Sequence, residues 1–354
     1  MPSKKVLVRE SADRERAAPA AKEIRMKAVV LNGYGGPEVL TVADIPDPEC
    51  GPEDVLVSVR ATALNRADLL QRRGLYPQPG PKPAHEVPGL EFAGEIIETG
   101  TRVVGLARGD RVMGILSGGS YAEKVSTHHR AVVKVPDALA WQEAAAVPEA
   151  FITAHDALLQ CGLCSGESVL VHAAASGVGL AAIQIAKVMG ATPIIGTASS
   201  QRKIAAALAL GLDAGIAYQQ QDFQTEVARL TDGRGVDIIV DFIGASYLER
   251  NIASLALRGH LIVIGLLGGI TADLNLGLLL NRRLHVMGTV LRSRPVEEKI
   301  VATRAFETSV LPHLARRTIR PVIDRVFAFD AVAEAHAYME TNANVGKIVL
   351  DMSA

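Results

Sequence analysis

The chain has 354 residues, and its 37 Lys and Arg nearly cancel 38 Asp and Glu, leaving a formal net charge of −1 and no basic field for nucleic acid. That length, at 49% apolar content, suits about two domains of ~150 residues each. Aromatics are only 4%, with Trp141 the single tryptophan, too few for base-stacking platforms, and no apolar run reaches the about 18–20 residues of a membrane span.

Residues 1–25 carry Lys4, Lys5, Arg9, Arg14, Arg16, Lys22 and Arg25 among Glu10, Asp13, Glu15 and Glu23. They lack the apolar core of a secretory signal, and the acids argue against an organelle transit peptide. A poorly ordered leader is expected there, with a misassigned start or a short docked helix as the other readings. From Met26 to residue 147 the pattern is short strands and frequent turns: 26–31, 40–44, 54–63, 94–98 and 110–113. Within them Val55, Val57 and Val59 alternate with Leu56, Ser58 and Arg60. This spacing predicts a β-rich, barrel-like domain. It holds one short helix, 66–73, and a proline-rich loop, 76–88, long enough to line a cleft.

After Trp141 strands alternate with helices. Strands are expected at 168–173, 192–196, 214–218, 236–241, 259–264 and 284–290, with helices at 177–189, 201–210, 223–231 and 246–255. Uninterrupted apolar strands such as 236–240 indicate a parallel sheet covered on both faces. Six of them in two βαβαβ halves make a doubly wound dinucleotide fold over residues 148–295. A segment over 296–354 follows, helical and then a strand at 347–351 that returns to the first domain. Cys161 and Cys164 form a lone CxxC without a second pair or a redox context, and with Cys50 they are expected as surface-loop thiols. A reducing, cytoplasmic setting follows.

The first βα turn runs Ala173-Ala174-Ala175-Ser176-Gly177-Val178-Gly179. Against G-x-G-x-x-G, the glycine positions hold Ala174, Ser176 and Gly179, with an additional Gly177. A helix N-terminus at such a turn offers free N–H groups and a positive dipole end to a pyrophosphate. Small residues there also serve plain helix–strand packing. About 20 residues on, where a ribose-binding acid marks an NAD site, the chain reads Gly196-Thr197-Ala198-Ser199-Ser200-Gln201-Arg202-Lys203. Two hydroxyls and two cations there suit a 2′-phosphate through charge-assisted bonds. A helix-capping serine followed by solvated cations would look the same.

Met26-Lys27-Ala28-Val29, Asn65-Arg66-Ala67-Asp68-Leu69, Gly89-Leu90-Glu91-Phe92-Ala93-Gly94, the turn 174–179 and Gly346-Lys347-Ile348-Val349 occur in the order and spacing of the zinc-free quinone oxidoreductases. The chain from Met26 onward therefore resembles this family of the medium-chain dehydrogenase/reductase superfamily. Leu291-Arg292-Ser293-Arg294 and Gly244-Ala245-Ser246-Tyr247 are similar to its tumour-suppressor-inducible branch. The resemblance implies a GroES-like catalytic domain, a Rossmann domain, a homodimer and NADPH-dependent reduction of a small quinone-like substrate. It places Asn65, Asp68 and Tyr76 around the acceptor, with Asn65 and Tyr76 as donors. It places Thr153, Ser176, Gly177, Val178, Gly179, Ser200, Lys203, Tyr218, Leu266, Leu267 and Asn344 on the cofactor.

Asn65 and Asp68 also have the spacing of a variant capping box. Zinc alcohol dehydrogenases of the superfamily carry a cysteine where Asn65 stands and a histidine where Leu90 stands, and an apolar Leu90 cannot be a ligand. No metal is expected, which disfavours alcohol oxidation and leaves reduction of an activated acceptor. Two alternatives remain: reduction of an activated C=C, as in a 2-enal or enoyl thioester, and a catalytically idle NADPH-binding protein.

Overall fold

A computed structural model describes residues 25–81 and 83–353. The leader expected over 1–25 lies outside the described residues except for Arg25, which opens the first strand, Arg25–Leu31. That strand pairs antiparallel with Leu40–Pro46. A larger sheet is built on Asp54–Ala63, which pairs antiparallel with Glu91–Thr99 and with Lys124–His128. Arg111–Ile115 and Val132–Lys134 extend it on one side. On the other side the C-terminal strand Lys347–Asp351 lies antiparallel to Asp54–Ala63, and Ile323–Ala328 lies parallel beyond it.

The second sheet has six strands, all parallel, in the order Ala214–Ala217, Ile194–Ala198, Val169–Val171, Val236–Asp241, Leu255–Val263, His285–Gly288. Numbered within the sheet this is 3-2-1-4-5-6, the doubly wound dinucleotide order. Val169, Leu170 and Val171 are fully buried, as are Ile239 and Val240, so the central strands are covered on both faces. The expected α/β architecture, a GroES-like unit with a Rossmann sheet, is the observed one.

Local chemistry accounts for the first βα unit. Ser176 takes the N-cap of helix Gly177–Val188, its hydroxyl accepting the Gly179 N–H at 3.0 Å, a cap that contributes about 1 kcal/mol. Leu180, Ile183 and Ile185 bury the helix, and Gly190 ends it at φ +85. Elements differ from expectation where they are short or lack turn residues. Val132–Lys134 has three residues, and helix Leu276–Arg282, although the Asn275 side chain caps it at the Leu278 N–H, runs only seven residues. Strand Leu255–Val263 begins directly after helix Leu248–Ser254, because a register shift against Val236–Asp241 lets it start early. The cysteine expectation is corrected at Cys161. It caps helix Thr153–Gln160 and is buried at 4% exposure in the shared core, where burial pushes its thiol up to about 12. Such a thiol packs as a small hydrophobe and is inert.

Candidate active site

Two groups of residues meet where the sheets approach each other. The first is a cradle at the C-terminal edge of the parallel sheet. The turn after Val169–Val171 is tight: Ala173 has φ 45, and a Cβ on Gly179 would lie 2.4 Å from the Ala173 carbonyl oxygen. Only glycine lets helix and turn approach this closely. The amides of Gly177 and Val178 have no hydrogen-bond partner among the described residues, so they are donors for an anion at the helix N-terminus.

The end of the second strand lies alongside. Ser200 caps helix Gln201–Leu208, accepting the Lys203 N–H at 3.4 Å. Lys203 Nζ donates to the Asn342 carbonyl at 2.6 Å, and Arg202 to the Ala343 carbonyl at 2.5 Å. Arg66 reaches the Asn342 side chain at 2.6 Å. Neither Lys203 nor Arg202 forms an ion pair or hydrogen bond with a carboxylate among the described residues, though the Asp324 charge acts on Lys203 through space. Burial and the charges of Arg202 and Arg66 pull the Lys203 ammonium below the usual lysine value. Three cations therefore converge on the 342–343 loop, an arrangement that favours an added dianion.

Of the other expected cofactor residues, Tyr218, Leu266 and Leu267 follow strand ends on the same edge. Tyr218, after Ala214–Ala217, is exposed, as are Leu266 and Leu267 after Leu255–Val263. Thr153 is buried with its hydroxyl unpartnered. Asn344 instead turns its side-chain N–H to the Gly346 carbonyl at 3.0 Å, stiffening the loop that carries it. Gly346 bridges to Ser176 and donates its N–H to Ala175 O at 2.8 Å. The segment 342–347 thus runs from the cations, over the phosphate turn, into the second group.

That second group is a buried polar cluster. Lys347 Nζ contacts Glu91 Oε1 at 2.6 Å, Asn65 Oδ1 at 2.5 Å and Leu64 O at 2.8 Å. Asn65 Nδ2 donates to Glu91 Oε1 at 2.9 Å and to Ala63 O at 3.3 Å. The other Glu91 oxygen accepts the Glu149 N–H at 2.8 Å. Asp68 lies beneath, accepting the Asn65 N–H at 2.7 Å and the Tyr121 hydroxyl at 3.0 Å. The capping box is therefore half made. The Asp68 carboxylate caps the helix, while the Asn65 side chain turns away to Glu91 and Lys347. Burial pushes the Asp68 carboxyl up to about 6.

Tyr76 stands on the proline-rich loop with its hydroxyl free of partners among the described residues. Its ring lies 4.7 Å from the Arg292 guanidinium. Arg292 is itself buried, donating to Ser117 O at 2.8 Å, Tyr76 O at 2.9 Å and Gln71 Oε1 at 2.5 Å. Sequence reasoning overlooked Arg292, Lys347 and Glu149 as site residues. For Glu149 a signal existed, since it is the one acid in the apolar run 144–154.

The family described as Alcohol dehydrogenase GroES-like domain matches residues 51–137, and the one described as Zinc-binding dehydrogenase matches 177–307. The quinone oxidoreductase of Pseudomonas aeruginosa is 34% identical over 332 residues, 92% of this chain and 99% of that one. The chain belongs to the quinone oxidoreductase family of the medium-chain dehydrogenase/reductase superfamily. Escherichia coli quinone oxidoreductase complexed with NADPH is similar in structure, with TM-score 0.81 at 27% identity, covering 92% of this chain and 99% of that one. A solved NAD-dependent alcohol dehydrogenase gives TM-score 0.82 at 36% identity, covering 92% and 100%. The chain is an oxidoreductase of this superfamily, and its cofactor preference has to be argued from its own residues.

The Zinc-binding dehydrogenase description invites a test of metal fit. Leu90 is buried and offers no ligand atom. The Lys347 ammonium already sits on Asn65 and Glu91, where a divalent cation would be repelled. Among the described residues no three His, Cys, Asp or Glu side chains are grouped to hold an ion. The donor set does not fit zinc.

Proposed function

We propose that the chain is an NADPH-dependent, metal-independent reductase of a small quinone-like acceptor. The observation that carries this reading is adjacency. Residue 346 pairs with the phosphate turn and residue 347 with Asn65 and Glu91, so the turn adjoins the buried polar cluster and a dinucleotide on the turn would extend toward it. When bound, NADPH supplies a hydride to an electron-poor acceptor. Ser176, Gly177, Val178 and Gly179 hold the pyrophosphate, and Ser200, Lys203 and Arg202 hold the 2′-phosphate. Tyr218 and Asn344 flank the adenosine end, while Thr153, Leu266 and Leu267 border the nicotinamide end. The Tyr76 hydroxyl donates to the acceptor oxygen as negative charge grows there, when such a donor stabilises most. Arg292 fixes the Tyr76 loop, and Asn65 and Asp68 fix the floor beneath it.

Two further readings belong to this proposal. Strand His285–Gly288 is the outer edge of the parallel sheet and is largely exposed, so a second copy pairing there gives a twofold homodimer. Three unpaired cysteines agree with a reducing, cytoplasmic setting. Among the described residues no helix is long and apolar enough to cross a membrane.

Fluorescence titration with NADPH and NADH, before and after extended chelation, tests the cofactor assignment. NADPH should bind more tightly, with no change after chelation. Tighter NADH binding, or binding lost with a stoichiometric metal, contradicts it.

A further inference from the structure

Glu149 differs from every other acid in the cluster. Glu91 is fully buried and bonded through both oxygens, and Asp68 is fully buried beneath Tyr121. The Glu149 carboxyl has no hydrogen-bond partner among the described residues, and the residue keeps partial exposure. Its backbone is nevertheless pinned. The Glu149 N–H is held by Glu91, which Lys347 and Asn65 hold in turn. It also lies in the first turn of the π-helical segment Pro148–Ile152. A carboxyl with free oxygens, carried on a held backbone and within electrostatic reach of Tyr76 and Arg292, is placed to exchange a proton with a bound molecule.

We propose that Glu149 is the general acid that delivers the proton accompanying hydride transfer. This rests on the quinone-reductase reading. The acceptor gains two electrons and one hydrogen as hydride from NADPH. The Glu149 O–H bond then breaks as a new O–H bond forms on the reduced acceptor oxygen. The products are hydroquinone and NADP+, and the Glu149 carboxylate regains its proton from water through its exposed side.

The surroundings keep this acid protonated at neutral pH. Six groups face it: Glu91 on its strand, Asp68 on the helix Arg66–Arg72, Lys347 on the C-terminal strand, Tyr76 on its loop, and Arg292 and Lys299 beyond the parallel sheet. Burial dominates and the Glu91 carboxylate adds to it, pushing Glu149 up to about 8 against the pull of Lys347 and Arg292. Lys347 is already committed to Glu91 and Asn65, and Arg292 to Ser117, Tyr76 and Gln71, which limits both.

The test compares wild type, Glu149→Gln and Glu149→Asp in the full chain. With a quinone acceptor, wild-type turnover should fall as pH rises through about 8. Glu149→Gln should lower kcat roughly 100-fold, the low end of general-acid effects, abolish that pH dependence and leave NADPH affinity unchanged. Glu149→Asp should keep the pH dependence at reduced kcat. Infrared difference spectra of the ligand-free protein supply a second readout. A protonated-carboxyl band at neutral pH should be present in wild type and missing in Glu149→Gln. Wild-type turnover with an unaltered Glu149→Gln variant, or no such band, overturns the proposal for Glu149 alone. A wild type that carries the band yet reduces no acceptor overturns the quinone-reductase reading, and the acid role with it.

Discussion

Lys203 and Tyr76 separate the two halves of the reaction most cleanly. Lys203 faces a carbonyl, not a carboxylate, so its charge is available to a phosphate. A hydrogen bond to a charged group contributes about 1.5–3 kcal/mol, so Lys203→Ala should weaken NADPH binding roughly 10- to 100-fold. NADH affinity should stay the same, as titration of both cofactors would show; equal losses would make Lys203 a support of the 342–343 loop. Tyr76→Phe removes only the hydroxyl and leaves the ring beside Arg292. Its kcat should fall while NADPH affinity holds, and unchanged kinetics would remove Tyr76 from the acceptor site. The sequence singles out both as candidates, Lys203 from the missing acid after the second strand and Tyr76 from the family resemblance. The Asn342 and Ala343 carbonyls that meet Lys203 and Arg202 were not legible there. They come from a loop about 140 residues away, and no local pattern encodes that meeting.

Among elements, the strand–turn–helix at 168–188 was the most legible because β-branched residues, small residues and a helical period change abruptly there. Its glycines make unequal demands. A Cβ on Gly179 would strike the Ala173 backbone at 2.4 Å, which cannot yield without moving the turn. On Gly177 the same atom would meet the flexible Lys347 stem at the same distance. Gly179→Ala should therefore lower Tm and abolish dinucleotide binding, whereas Gly177→Ala should leave the fold intact and disturb Lys347. Thermal melts with and without NADPH distinguish the two, and equal effects would contradict this account of the turn. Strand Val132–Lys134 and the buried Arg292 were hidden for a common reason. Three residues carry no periodicity, and a cation stabilised by three carbonyl-type acceptors looks like any surface arginine until the chain folds.

For the whole molecule, buried titratable groups set how stability depends on pH. Glu149 at about 8 and Asp68 at about 6 keep protons that the unfolded chain releases near 4.5 and 3.8. The folded state then binds more protons, and stability falls as pH rises across those windows. His172 and His336, depressed by burial to about 4 and about 3, act oppositely, costing stability as pH falls below 6.5. Glu149→Gln should therefore gain Tm relative to wild type as pH rises from about 4.5 to about 8, and a constant difference would contradict the buried protonated acid. The most direct measurement of function is NADPH oxidation by the purified, chelator-treated chain across ortho- and para-quinones, 2-enals and enoyl thioesters. Steady turnover with quinones and little with the C=C acceptors is the predicted result. Tight NADPH binding with no turnover on any acceptor, or turnover confined to enals or enoyl thioesters, would contradict the quinone assignment.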